Sequence, residues 1–124
     1  MSAEKSGVCG GGPKLVFACS GAADVGEIAD RAARKMTKNG SGSMFCLAGI
    51  GGKIAGIIKK TQAASKVLAI DGCELDCVKS CLQQAGFAGF EHLRVTDLGM
   101  QKGQAAINDE NVARVAQQGA ALLA

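Results

Sequence analysis

Six of the 124 residues are cysteine: Cys9, Cys19, Cys46, Cys73, Cys77 and Cys81. A deprotonated thiol is a nucleophile and a soft metal ligand, so thiolate chemistry is the first chemistry to consider. An even cysteine count also fits a disulfide framework, but that device belongs to small secreted domains that lack a core. This chain is 48% hydrophobic, enough for a real core. Its opening residues, MSAEKSGVCGGGPK, lack the apolar centre of a signal peptide, and no stretch is long and apolar enough to span a bilayer. The expectation is a cytoplasmic protein with reduced thiols.

The elements that position these thiols follow from the hydrophobic pattern. Residues 1–13 read as a flexible arm that carries Cys9, with Gly10, Gly11 and Gly12 ahead of Pro13. A single α/β domain is expected over 14–124. Leu15 to Ala18 is a short apolar run that predicts a buried strand. Asp24 and Glu27 resemble a capping box for a helix carrying Val25, Ile28, Ala29, Ala32 and Met36, closed by Asn39-Gly40. Met44 to Leu47 predicts a second strand, Gly49 to Gly52 a turn, and Ile54 to Lys60 a helix. Val67 to Ile70 is the clearest strand, followed by a helix over Cys73 to Gln84 that stops at Gly86. His92 to Val95 predicts a fourth strand, 97–107 a connection, and Asn108 or Asp109 the cap of a last helix reaching Leu123. Short apolar strands alternating with helices predict a three-layer α/β/α fold around a mostly parallel, four-stranded, Rossmann-like sheet.

That topology gives the cysteines a place. Cys19, Cys46 and Cys73 fall at or just past the carboxyl ends of three predicted strands, the edge where open parallel sheets bind ligands. Cys73, Cys77 and Cys81 form C-x3-C-x3-C, one face of a helix. Helical rise separates Cys73 from Cys81 by about 12 Å, too far for one metal with bonds to sulfur of about 2.3 Å. Cys81 therefore reads as packing beside Leu75, Val78 and Leu82, and Cys9 as optional. The expected site is Cys19, Cys46, Cys73 and Cys77, each close to a predicted helix N-terminus that favours negative charge. Four thiolates suit tetrahedral zinc or an iron–sulfur cluster. The same thiols also suit a redox, sulfur-transfer or heavy-metal-handling protein, with Cys9 as a resolving partner.

Other functions find less support. Net charge is +3 with scattered lysines, there is no Trp or Tyr, and only four Phe are present, so a stacking platform for nucleic acid is not expected. Gly49-Ile50-Gly51-Gly52-Lys53 sits where phosphate loops sit, but Ile54 fills the position that needs a hydroxyl. A thiol-phosphatase loop starting at Cys19 needs an arginine where Val25 stands. The C-x-x-C spacing of thioredoxin-like proteins is absent. His92, the sole histidine, is expected on a strand away from the thiols, and Asp71 as a cap for the helix that follows it.

Cys19-Ser20-Gly21, Cys46-Leu47-Ala48-Gly49 and Asp71-Gly72-Cys73, with Cys77 four residues on, resemble in their order and spacing the DGC-domain family of zinc-binding proteins. The resemblance runs from about Lys14 to Val95. It implies a metal, zinc, chelated through Cys19, Cys46, Cys73 and Cys77, and implies nothing for Cys9 or Cys81.

Overall fold

A computed structural model describes residues 12–124. Cys9 and most of the expected arm lie outside the described residues. Pro13 already joins the fold, since its carbonyl accepts a hydrogen bond from the Ser65 amide at 3.0 Å.

Four strands form the sheet: β1 (Lys14–Ala18), β2 (Ser43–Met44), β3 (Lys66–Asp71) and β4 (Glu91–Arg94). They lie in the order β2-β1-β3-β4, and every neighbouring pair is parallel. The helices are α1 (Asp24–Asn39), α2 (Leu47–Gly51), α3 (Ala55–Gln62), α4 (Cys77–Gln84) and α5 (Asp109–Leu123). The fold class is the expected three-layer α/β/α arrangement.

Strand side chains alternate between faces, and both central strands are covered on both sides. Val16, Ala18, Leu68 and Ile70 face one way, onto Val25, Ile28, Ala32 and Met36 of α1 and Val112, Val115 and Leu123 of α5. Leu15, Phe17, Val67 and Ala69 face the other way, onto Ile50, Val78, Leu82 and Phe87, with Ile57 and Ile58 packed at the margin. A core this poor in aromatics closes by bringing backbones together. A Cβ on Gly119 of α5 would sit 2.8 Å from the Met36 sulfur of α1, so glycine sets the approach of these two helices.

Several boundaries differ from expectation, each for a local reason. The second strand has only Ser43 and Met44, because Phe45 makes one last sheet bond to the Val16 carbonyl and Cys46 then caps α2. That short helix replaces an expected turn. The helix expected from Cys73 begins one turn later, at Cys77. The Asp71 carboxylate captures the amides of Val78 and Lys79, which sets the first turn at Cys77 and leaves Cys73 to Asp76 as a loop. Asp24 is not an N-cap either: it is the first helical residue of α1, and Ala23 occupies the cap position without a side-chain bond. The expected partner of the capping box, Glu27, pairs with Arg31 at 2.7 Å.

Asp24 instead ties a distant loop to α1. Its carboxylate accepts from the Gly103 amide at 3.0 Å, the Ala105 amide at 2.9 Å and the Val25 amide at 2.8 Å. The Gly103 and Ala105 amides hold its pKa below the ordinary 3.8. A carboxyl with a depressed folded pKa stabilises the fold above its unfolded pKa and loses that contribution as pH falls through the folded value. Acid titration of the wild-type chain should therefore show a loss of stability below about pH 4 that Asp24→Asn lacks. Parallel acid arms in the two proteins, followed by circular dichroism, would remove this role from Asp24.

The strand order also fixes where the fold opens. From β1 the chain crosses by α1 to β2 on one side. From β3 it crosses by α4 to β4 on the other. The connections that leave β1 and β3 therefore run to opposite sides, which puts the switch point of the doubly wound sheet, the usual ligand position, at these two strand ends. Cys19 follows β1 and Cys73 follows β3.

Candidate functional site

Cys19, Cys46 and Cys73 follow the ends of β1, β2 and β3, and Cys77 opens α4. The Cys19 amide donates to the Ile70 carbonyl at 2.9 Å, so the last bond of the β1–β3 ladder fixes its backbone. Its half-buried side chain packs against both core layers where they meet. The turn after it lies directly on α1: a Cβ on Gly26 would sit 2.7 Å from the Gly21 carbonyl oxygen. Cys46 is exposed and caps α2, its sulfur accepting from the Gly49 amide at 3.3 Å.

The Asp71-Gly72-Cys73 segment is held from three sides. Gly72 passes so close to α1 that a Cβ there would lie 3.1 Å from Gly26 N and from Val25. The Gly72 carbonyl accepts from the Thr96 amide at 3.2 Å. Asp71 is 1% exposed, and its carboxylate bonds Val78 N at 2.7 Å, Lys79 N at 3.1 Å and His92 Nε2 at 2.9 Å. It therefore joins the end of β3 to the start of α4, where Cys77 stands, and to β4. Capping, expected of Asp71, is thus its role.

His92 corrects the expectation that it stands away from the thiol edge. It shares a face of β4 with Arg94, two residues on. His92 grips Asp71, while Arg94 grips Asp76 with Nη2 at 2.7 Å and Nε at 2.9 Å. Asp76 adopts a left-handed backbone, φ 53°, at the residue before Cys77. The fork to Arg94 holds that conformation and keeps the Asp76 carboxyl below its ordinary pKa. Two β4 side chains thereby anchor the carboxylates of Asp71, before the Cys73–Asp76 loop, and of Asp76, at its end. Asp71, Asp76 and His92 also form the one group of three possible ligand residues within 4.8 Å among the described residues. Their oxygens already serve α4 amides and Arg94, so the group is a structural network.

Electrostatics single out Cys77. Partial desolvation pushes its thiol pKa above the usual 9.0, and neighbouring Cys19, Asp71, Cys73 and Cys81 add repulsion in that order. Several acidic groups share this space. Cys73 has a cation beside it: Lys102 Nζ lies 3.6 Å from its sulfur. Cys81 packs in part against the second core layer with Val78 and Leu82, as expected, whereas Leu75 of the expected stripe lies before α4 and is exposed. Cys81 also reaches an open cleft of about 780 Å³ that Ala18, Met44, Phe45 and Cys46 line.

The arrangement is open. Among the described residues no three sulfurs lie within 4.8 Å of one another. Tetrahedral zinc with bonds of about 2.3 Å needs sulfurs about 3.8 Å apart. The donor set fits such an ion in chemistry, and coordination requires the sulfurs of Cys19, Cys46 and Cys73 to draw in toward Cys77.

The roles of three residues escaped the sequence pattern. Lys102 lies in the stretch 97–107, which has no periodicity to place it. His92 and Arg94 have a visible signal, two polar side chains on one face of an edge strand, but nothing in the sequence aims them at Asp71 and Asp76.

Fold and site together define a doubly wound α/β domain with free thiols at its switch point. The family model of the DGC domain matches residues 15–119. The chain belongs to the DGC-domain family. It is 34% identical over 88 residues to the anaerobic and virulence modulator AnvM of Pseudomonas aeruginosa, an alignment covering 71% of this chain and 67% of that protein. No solved structure matches. No helix among the described residues is long and apolar enough to cross a membrane.

Proposed function

We propose that this protein binds a zinc ion through the thiolates of Cys19, Cys46, Cys73 and Cys77. The observation that carries the reading is that Cys19, Cys46 and Cys73 follow three strand ends at one sheet edge, with Cys77 opening the helix after the third. Cytoplasmic conditions keep such thiols reduced and available. Four thiolates fill the shell of the ion and leave no position for substrate, so the site serves structure, storage or sensing in preference to Lewis-acid catalysis. A relative named as a modulator accords with a binding protein. An iron–sulfur cluster uses the same ligands and is distinguished by colour.

Anaerobic purification followed by elemental analysis and an absorption spectrum tests the proposal. The expected result is one zinc per chain, no visible absorption, and loss of the metal in Cys77→Ser. A chain that stays metal-free after incubation with zinc overturns it. Visible bands with bound iron would replace zinc by the cluster.

A further inference from the structure

The loop after β4 brings a lysine to the thiol edge. Lys102 points its ammonium at the Cys73 sulfur, 3.6 Å away. It forms no ion pair with a carboxylate among the described residues, although Glu74 lines the same hollow. Of the other cations in this region, Arg94 is engaged by Asp76 and Asp97. The placement of Lys102 is built: the amides of Gly103 and Ala105, immediately beyond it, are fastened to the Asp24 carboxylate at the start of α1. The Gln104 amide closes a turn onto the Gln101 carbonyl at 2.9 Å, so the lysine sits in a short, pinned turn.

A dication held by four thiolates carries a net charge of −2, in a place where Asp71 and Asp76 already stand. Negative charge at this density favours a cation in contact with sulfur. We infer that Lys102 is the charge-balancing residue of the thiol site, and that Asp24 positions it by anchoring its turn. The inference rests on the zinc reading for its role in the metal complex. Its geometric part, a lysine ammonium 3.6 Å from the Cys73 sulfur, holds for the metal-free chain as well.

The test uses the full-length reduced protein and the series Lys102→Arg, Lys102→Met and Lys102→Glu. The first readout, on metal-free protein at one pH, is the ratio of alkylation rates at Cys73 by anionic iodoacetate and neutral iodoacetamide, read by mass spectrometry of the Cys73 peptide. A cation beside the thiolate favours the anionic reagent. The ratio should stay near wild type in Lys102→Arg, fall roughly two- to fivefold in Lys102→Met, and fall further in Lys102→Glu. Differences should collapse at about 1 M salt, where screening acts within about 3 Å. The second readout, zinc affinity by chelator competition, should follow the same order. Asp24→Ala should lower the ratio as Lys102→Met does, and the pair should be no worse than Lys102→Met alone.

Ratios that ignore the charge at position 102 at low salt overturn the inference. So does a loss in Lys102→Arg equal to that in Lys102→Met. A wild-type chain that takes no zinc defeats the metal reading only, since the alkylation ratio still decides whether Lys102 faces the thiolate. Zinc bound with full affinity in every variant, beside a flat ratio, defeats the inference alone.

Discussion

Asp71→Ala should be among the most destabilising single substitutions at the thiol edge, costing about 3 kcal/mol. The carboxylate is 1% exposed and has three partners. Alanine leaves the buried Val78 amide without an acceptor and removes the cap of α4. It also cuts the bond that ties β4 to the loop through His92. Hydrogen bonds to a charged group contribute more than neutral ones, and a buried donor left unmet carries its full desolvation cost. Asp71→Asn should lose less, because one amide oxygen can still accept from Val78 while its NH2 faces a second donor. Urea unfolding reads the difference as a lower midpoint at unchanged slope. A midpoint within experimental scatter of wild type in Asp71→Ala would remove Asp71 from the scaffold.

The second large effect comes from the metal. A ligand that binds only the folded chain stabilises it by mass action, about 4 kcal/mol when free zinc exceeds its dissociation constant a thousandfold. For a domain of this size that is a shift in Tm of roughly 10–20 °C. Removing zinc with a strong chelator should produce that drop in wild type, and zinc without chelator should restore it. Cys77→Ser should start near the chelated Tm and respond to neither treatment. Cys81→Ser should keep the full zinc response, because Cys81 belongs to the packing of α4. A zinc response that survives in Cys77→Ser and vanishes in Cys81→Ser would move the ligand set along the helix.

The two central strands were legible because β1 and β3 are largely apolar runs of five and six residues covered on both faces. The last helix was legible from Asn108, whose side chain accepts from Asn111 N at 2.9 Å. Helix starts were less secure where a carboxylate had competing partners. Asp71 reads as a cap for the residues next to it, but it captures amides seven and eight residues on and so shifts the start of α4. Asp24 reads as a local cap, but it serves amides almost eighty residues away. Local spacing carries no information on such long-range bonds. The edge that carries Cys19, Cys46 and Cys73 followed from topology alone, since each comes within two residues of a strand end. The strand order sharpened this by placing the switch point between β1 and β3. His92, Arg94 and Lys102 required coordinates, because each acts on a residue that is remote in sequence.

X-ray absorption at the zinc edge of the anaerobically purified wild-type chain tests the four-thiolate zinc site without recourse to variants. The expected result is one zinc per chain with four sulfur neighbours at about 2.3 Å and no nitrogen or oxygen shell. A zinc bound mainly by nitrogen or oxygen at 2.0–2.2 Å, or a protein that retains no metal, would contradict it.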